Sequence, residues 1–235
     1  LLAQMPEYQG DPRIGEYIRG MGAEIALQSD RPNLQHTFTV VGSEEINAFA
    51  VPGGFVYVTM GLLRSATSGA EVASVIAHEL GHISARHGVR SLEIYVLAEN
   101  LGALLGGQNW GELISASIQT GTGLLFSQDQ EVEADFLGVQ YAYHTGYNPW
   151  GMVDFFSYLQ KLEGPSTSTG IDASLGELFS THPPTNERIA NTEAQLADLG
   201  VGRDSNSLRW DTGTSYDELA AILPTPSTAA ALTRP

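Results

Sequence analysis

The sequence predicts an α+β fold that is mostly α-helical and carries a small β-sheet. Three observations support it. Apolar residues recur at helical spacing over most of the chain, whereas residues 36–61 alternate and are rich in β-branched and aromatic types. In addition, 42% of the 235 residues are apolar, which is enough for an ordinary buried core. We expect one domain over residues 1–200, followed by a tail over 201–235 that is rich in serine, threonine, proline and alanine.

The first elements are a helix and a hairpin. Residues 11–28 have the pattern of an amphipathic helix, with Pro12 near its start. The stretches HTFTVVG and INAFAVPGGFVYVTMG follow, and their alternation predicts β-strands. The second stretch is interrupted by Pro52, Gly53 and Gly54. These residues predict a turn between two strands rather than a phosphate-binding loop, because no Gly-Lys-Ser sequence follows.

The next predicted helix carries three of the six histidines of the chain. Ser68 and Glu71 have the spacing of a capping box at its start. Gly88, which follows Arg86 and His87, predicts its end. Residues 92–126 then predict a pair of helices interrupted by glycines.

The remaining elements are helical. Ser127 and Gln130 again have capping-box spacing, and they predict a helix that runs to about Thr145. NPWGMVDFFSYLQKL predicts a further helix. Residues 164–176 predict a flexible connection, and STHPPTNERIANTEAQL predicts a loop that leads into another helix.

Composition excludes several kinds of function. The formal charge of −16 argues against binding to nucleic acid or to an anionic membrane surface, which both need basic patches. The absence of cysteine excludes disulfides and thiolate zinc clusters. No apolar run reaches the length of a membrane helix, and no signal peptide is visible. We expect a periplasmic or otherwise exported protein, with a lipid anchor attached through a removed leader as one option and a cytoplasmic location as the alternative.

A metal site is predicted by the sequence H-E-x-x-H. His78 and His82 are four residues apart on a helix, so they differ by about 40° in direction and can share one ion. Glu79 lies about 100° round from His78, where it can reach a water beside the ion as a general base. His87 is nine residues from His78, about 180° round the helix, so it faces away and should not be a ligand.

The third ligand is expected from the stretch SQDQEVEADFLGVQ. Glu131 and Asp135 are four residues apart, so one can bind the ion while the other accepts the N–H of a ligand histidine. Glu133 should point away from both. An acidic helix face exposed to solvent is the alternative interpretation, and spacing alone leaves it open.

Taken together, HELGHISARH, EVEAD with LGVQ after it, and STHPPTNERI resemble the gluzincin peptidases of family M48, over about residues 10–195. The resemblance implies a zincin-like metallopeptidase domain whose sheet has an edge strand beside the active site. It implies one Zn²⁺ per chain, held by His78, His82 and Glu131, with Glu79 as the catalytic base. It also implies that Asp135 supports a ligand histidine and that two further polar groups, His182 and Arg188, lie near the ion. Separately, Asn47 can hold a substrate carbonyl from its position beside the site, and an asparagine that serves only a turn or a strand end is the alternative.

The expected function is zinc-dependent endopeptidase activity on unfolded or misfolded proteins. The substrate is expected to bind as an extended strand along NAFAV, where Asn47 and Ala48 lie. His182 is expected to donate to the oxyanion or to act as a latch on the ion, and Arg188 is the other candidate oxyanion donor. The alternatives are a zinc-stabilised, chaperone-like binding protein and an exopeptidase, for which no terminus-binding group is evident.

Overall fold

The computed structural model describes residues 6–104, 126–163, 182–183, 185–211 and 216–225. Within these ranges the fold is α+β and mostly helical, as predicted, with one three-stranded sheet. The second part of the predicted helical pair at 92–126 and the predicted connection at 164–176 lie outside the described residues.

The sheet is mixed and small. Its strands are β1 (Thr37–Val41), β2 (Ala48–Val51) and β3 (Phe55–Thr59), in the order β1-β3-β2. β1 is parallel to β3, whereas β2 is antiparallel to β3. The predicted turn is confirmed, and Gly53 and Gly54 adopt φ values of 109° and 96°, which only glycine adopts readily. β2 is therefore an edge strand of the sheet, as expected.

The first three helices form the core around this sheet. α1 (Pro12–Leu27) is capped by Asp11, and α2 (Met60–Ser65) directly follows β3. α3 (Gly69–Ser84) is capped by Ser68 and is buried over nearly its whole length. It packs against α1, the sheet and the later helices, so both sides of α3 are covered by apolar groups. This central position desolvates the polar groups that α3 carries.

The end of α3 differs from the prediction. The helix was expected to reach Gly88, but it ends at Ser84, and α4 (His87–Leu104) begins after a break. At the break, Arg86 adopts a left-handed φ of 60° and redirects the chain. The sequence lacks the glycine or asparagine that usually marks such a position, so the break leaves no recognisable signal.

α5 (Gln128–Thr145) crosses α3 at close range. Its predicted capping box at Ser127 is formed, and it ends at Gly146, with φ 86°, as predicted. Small residues allow the approach. A Cβ on Gly81 would lie 2.8 Å from the carbonyl oxygen of Ala134, and one on Gly138 would lie 3.0 Å from the amide nitrogen of His78. The acidic stretch of α5 thereby faces the histidines of α3.

Three more helices complete the described fold: α6 (Trp150–Glu163), α7 (Asn186–Asp198) and α8 (Tyr216–Ile222). α6 and α7 confirm the predicted helices. The proposed boundary after residue 200 stays a prediction. Beyond it, Tyr216 and Leu219 are buried in the core, and the Trp150 indole N–H donates to the carbonyl of Val201 at 2.9 Å. None of the helices in the described ranges has the length and apolar composition needed to cross a membrane.

Candidate metal centre

Four buried side chains converge where α3 faces α5. Each offers one donor atom, and these atoms all lie within 4.8 Å of one another: His78, His82, Glu131 and His182. The Nε2 atoms of His78 and His82 are 3.0 Å apart. Nδ1 of His182 lies 2.9 Å from Oε1 of Glu131 and 3.4 Å from Nε2 of His78. The residues expected to hold the ion are therefore close together in the structure, and His182 lies with them.

His78 is supported by a buried carboxylate. Its Nδ1 lies 2.8 Å from Oδ1 of Asp135, so its Nε2 faces the cluster. Asp135 is in turn held by Arg188, whose Nε and Nη2 each donate to one carboxylate oxygen at 2.7 Å. This bidentate pair fixes the carboxylate and, through it, the orientation of the imidazole.

Arg188 is deeply embedded in the site, with 1% of its surface exposed. Besides Asp135, its guanidinium contacts Oε2 of Glu131 at 2.9 Å and donates to the carbonyl of Pro183 at 3.0 Å. Its N–H groups are thus directed at carboxylates and at the loop that carries His182. The expected donation to an oxyanion stays a prediction, and one of these contacts would have to be released for it.

His82 has a different support. Its Nδ1 lies 3.0 Å from Nδ1 of His87, and Nε2 of His87 lies 3.1 Å from Oε2 of Glu133. The expectation that His87 faces away is wrong, because α3 ends before it and the chain turns back at Arg86. His87 is buried and is not among the four clustered donors. Phe126 stacks on the other side of His82, with ring centroids 4.0 Å apart.

Glu79 lies beside the four donors rather than among them. It is buried, and its Oε1 is 3.7 Å from Nε2 of His182. The main chain of Ala50 in the edge strand β2 hydrogen-bonds to its carboxylate. Among the described residues, Oε2 of Glu79 has no hydrogen-bond partner. A buried carboxylate with one oxygen unpaired is suited to accepting a proton from a water or substrate group.

The protonation directions fit a ligand cluster. Burial raises the pKa of Glu79, although His182 opposes this effect. Burial also holds the pKa of His82 well below its usual value. For Glu131, burial favours the neutral form, but the contacts with His182, His82 and His78 outweigh it and lower the pKa. For His182, burial lowers the pKa, but the facing carboxylates Glu131 and Glu79 outweigh it and raise the pKa. The anionic form of Glu131 and the neutral form of His82 are the forms that bind metal, whereas a raised pKa favours the imidazolium form of His182, which does not.

The two residues expected to contact substrate lie at the start of the edge strand. Asn47 is buried, and among the described residues its Oδ1 has no hydrogen-bond partner. Its main-chain N–H donates to the hydroxyl oxygen of Thr59 at 3.0 Å, which ties it to the end of β3. Ala48 is fully buried as a whole residue, so the expected contact of Ala48 with a substrate stays a prediction.

An apolar hollow adjoins the cluster on the side of α6. It is small, with a cavity volume of about 20 Å³. His78 and Glu79 border it, and its apolar wall includes Met152, Phe156 and Leu159. The site thus has an apolar wall next to Glu79.

The donor set fits a divalent cation. Three imidazole nitrogens and one carboxylate lie within 4.8 Å of one another, and the guanidinium of Arg188 contacts the same carboxylate from outside the four donors. The outer nitrogen of His78 lies 2.8 Å from a carboxylate oxygen and that of His82 lies 3.0 Å from an imidazole nitrogen, so both inner nitrogens face the cluster. Nitrogen and oxygen donors in this number are those that tetrahedral zinc prefers.

A motif H-E-x-x-H on one helix, faced by a glutamate from a second helix, defines the gluzincin class. The comparisons with known proteins agree. The model of Peptidase family M48 matches residues 12–196, and the chain belongs to this family.

Three relatives illustrate the similarity. The chain is 28% identical over 250 residues to the beta-barrel assembly-enhancing protease of Yersinia pestis, covering 90% of this chain and 50% of the relative. It is 34% identical over 149 residues to the mitochondrial metalloendopeptidase OMA1 of Arabidopsis thaliana, covering 63% of this chain and 29% of the relative. It is 28% identical over 171 residues to the metalloprotease LoiP of Escherichia coli strain K12, covering 70% and 64%. The chain thus spans half or less of the first two relatives.

Proposed function

We propose that this protein is a zinc-dependent endopeptidase. The observation that carries the proposal is the buried convergence of His78, His82 and Glu131 with Glu79 directly beside them. Family membership supports the reaction class, and the donor set supports zinc. When bound, zinc would acidify a water and polarise the carbonyl of the scissile bond.

Glu79 is the proposed general base. Its unpaired Oε2 would take the proton of the attacking water, and the same carboxyl group would then deliver that proton to the leaving amine. Because burial raises its pKa, the carboxyl group is a better proton acceptor than an exposed glutamate. The contact with Ala50 holds the carboxylate against the edge strand, where the substrate would lie.

If the ion were held by all four clustered donors, His182 would have to move for this reaction to proceed. Its Nδ1 lies in the cluster with the other three donors, and four protein donors on a tetrahedral ion would leave no position for water. We infer a latched state in which His182 blocks the ion and a released state in which it faces the oxyanion. Replacing His182 by alanine should remove one nitrogen from the ion, measurable by X-ray absorption. Activity should rise if latching dominates and fall if oxyanion support dominates.

The proposed substrate is an unfolded polypeptide. It would pair through main-chain hydrogen bonds with the edge of β2 that no described strand occupies. Such hydrogen bonds depend little on the identity of the substrate side chains. An apolar side chain of the substrate would lie against the apolar wall beside Glu79. Asn47 is kept as a proposed contact to a substrate carbonyl, to which its Nδ2 would donate, while its unpaired Oδ1 would accept from a substrate N–H. A periplasmic or exported location is also only proposed, and the absence of cysteine is compatible with it.

The decisive experiment is the substitution Glu79→Gln. The amide has the same shape but cannot accept the proton, so cleavage of casein should fall by about 10²–10⁴-fold while zinc content stays the same. Glu193→Gln, which removes one exposed charge on α7, is the matched control and should cleave normally. Cleavage at the native rate by Glu79→Gln would refute the proposed base.

The alternative is a zinc-stabilised protein that binds unfolded chains without cutting them. A structural zinc site needs no base, so the buried position of Glu79 beside the donors argues against it. If the zinc-loaded wild-type protein binds unfolded casein but leaves it intact, this alternative replaces the peptidase.

A further inference from the structure

The outer nitrogen of His82 contacts a second histidine instead of a carboxylate. Nδ1 of His82 and Nδ1 of His87 are 3.0 Å apart, and the far side of His87 meets Glu133 at 3.1 Å. Both rings are buried, whereas 51% of the Glu133 side chain is exposed. The three side chains form a continuous path from the proposed ion to the surface of α5.

The direction of each hydrogen bond follows from the role of His82. If its Nε2 gives a lone pair to the ion, a neutral His82 carries its proton on Nδ1. That N–H must donate, so Nδ1 of His87 accepts. The proton of neutral His87 is then on Nε2, which donates to the carboxylate of Glu133. Each N–H then has one acceptor, and no other placement of the protons on two neutral rings satisfies both contacts.

The local backbone holds this arrangement at a cost. Arg86 adopts φ 60°, a conformation that costs a residue other than glycine about 1 kcal/mol or more. The turn it makes carries His87 from the opposite side of α3 back under His82. Phe126 stacks on His82 with ring centroids 4.0 Å apart, and it lies tilted beside His87 with ring centroids 6.0 Å apart. A role of the contact between His82 and His87 in metal binding would explain why the chain keeps the strained turn at Arg86 and places Phe126 beside both rings.

We propose that His87 and Glu133 are positioning residues that orient His82 for metal binding. His87 accepts the Nδ1 proton of His82, which selects the tautomer and the ring orientation, and Glu133 does the same for His87. The inference rests on the proposed metal centre. It extends that centre from the four donors to two residues that do not touch the ion.

The test compares His87→Leu with His87→Asn. The two replacement side chains have similar shapes, but asparagine places an acceptor oxygen near the position of Nδ1, whereas leucine has none. Zinc affinity, measured by competition with a chromogenic chelator, should fall by about 10- to 100-fold in the leucine variant and by no more than about threefold in the asparagine variant. Equal affinities of the two variants would overturn the proposal and reduce His87 to a packing residue.

A second variant, Glu133→Ala, tests the proposal independently in case His87→Leu does not fold. Because Glu133 is half exposed, Glu133→Ala should fold normally and should weaken zinc binding by about three- to tenfold. His144→Leu, at an exposed histidine in the last turn of α5, is the matched control and should bind zinc as the wild type does. Unchanged affinity in Glu133→Ala would overturn the role of Glu133. If the wild-type protein binds no zinc, the metal centre itself is refuted, which distinguishes that failure from failure of the positioning role alone.

Discussion

The two histidines of one helical turn are held in opposite ways. His78 contacts Asp135, a buried carboxylate that is fixed by two hydrogen bonds from Arg188. His82 contacts His87, a neutral ring whose outer partner, Glu133, is half exposed. The support of His78 is a buried ion pair, whereas the support of His82 is a chain of hydrogen bonds that ends at the solvent-exposed Glu133.

The difference follows from where each histidine lies on α3. His78 is in the middle of the helix, where the close crossing of α5 brings Asp135 within reach. His82 is in the last turn, so the residues that follow the helix can fold back to it. The same ligand chemistry is thus supported by tertiary packing at one position and by a local chain reversal at the other. Perturbations should affect the two supports unequally.

The largest effect is expected from Asp135→Asn. This substitution replaces one of the two buried carboxylates that face the guanidinium of Arg188 by a neutral amide and leaves Glu131 as the other, which should lower the free energy of unfolding by about 3 kcal/mol. Zinc affinity should also fall by about 10- to 100-fold, because the Nδ1 proton of His78 then meets a neutral amide instead of a carboxylate. Guanidinium denaturation of the metal-free protein and chelator competition measure the two effects.

The control for this variant is Asp154→Asn. Asp154 pairs with Arg203 at the surface, where such pairs contribute about 0–1 kcal/mol. If the two variants lose the same stability, the ionic support of His78 is no stronger than a surface pair, and the comparison between the two histidines fails.

Much of the site follows from the sequence, because helical spacing is a rigid rule inside a helix. The four-residue intervals predicted that His78 and His82 share a direction and that Glu131 and Asp135 share another, and the geometry has both pairs so arranged. The small sheet, its hairpin turn and the N-caps of α3 and α5 were also predicted from local patterns. Which of these residues act on a substrate is still a prediction.

The rest depends on tertiary contacts that no local pattern encodes. The spacing rule fails at His87 because the helix ends three residues earlier, at a residue type that does not mark helix ends. Arg188 lies in the first turn of α7, in a polar stretch that predicts a solvent-exposed position. It is nevertheless buried against Asp135 and Glu131. Its partners are 53 and 57 residues away along the chain, and only the packing of α7 on α5 brings them together.

Removing the metal should separate the two supports. At free zinc about 100 times the dissociation constant, the ion should stabilise the fold by about 2.7 kcal/mol, and chelation should remove that contribution. The Asp135–Arg188 pair needs no ion, whereas the contact of His82 with His87 depends on the ion, on Phe126 and on the turn at Arg86. Hydrogen exchange should therefore quicken at the start of α4 on chelation and change little around Asp135. Equal quickening in both regions would contradict this difference.

The smallest effect is expected at the turn that makes the second support. Arg86→Val places a β-branched side chain at φ 60°, and we expect a loss of about 1–2 kcal/mol in the free energy of unfolding together with weaker zinc binding. Arg86→Gly relieves the strain but adds freedom to the unfolded chain, so its stability should stay within about 0.5 kcal/mol of wild type and its zinc affinity should be unchanged. Arg90→Val, exposed inside α4, controls for the loss of arginine in favour of valine and should cost only a few tenths of a kcal/mol, about the difference in helix propensity. Thermal unfolding and chelator competition on the three variants measure these effects. If Arg86→Val is as stable as Arg90→Val and binds zinc like wild type, the left-handed turn is not what holds His87 under His82.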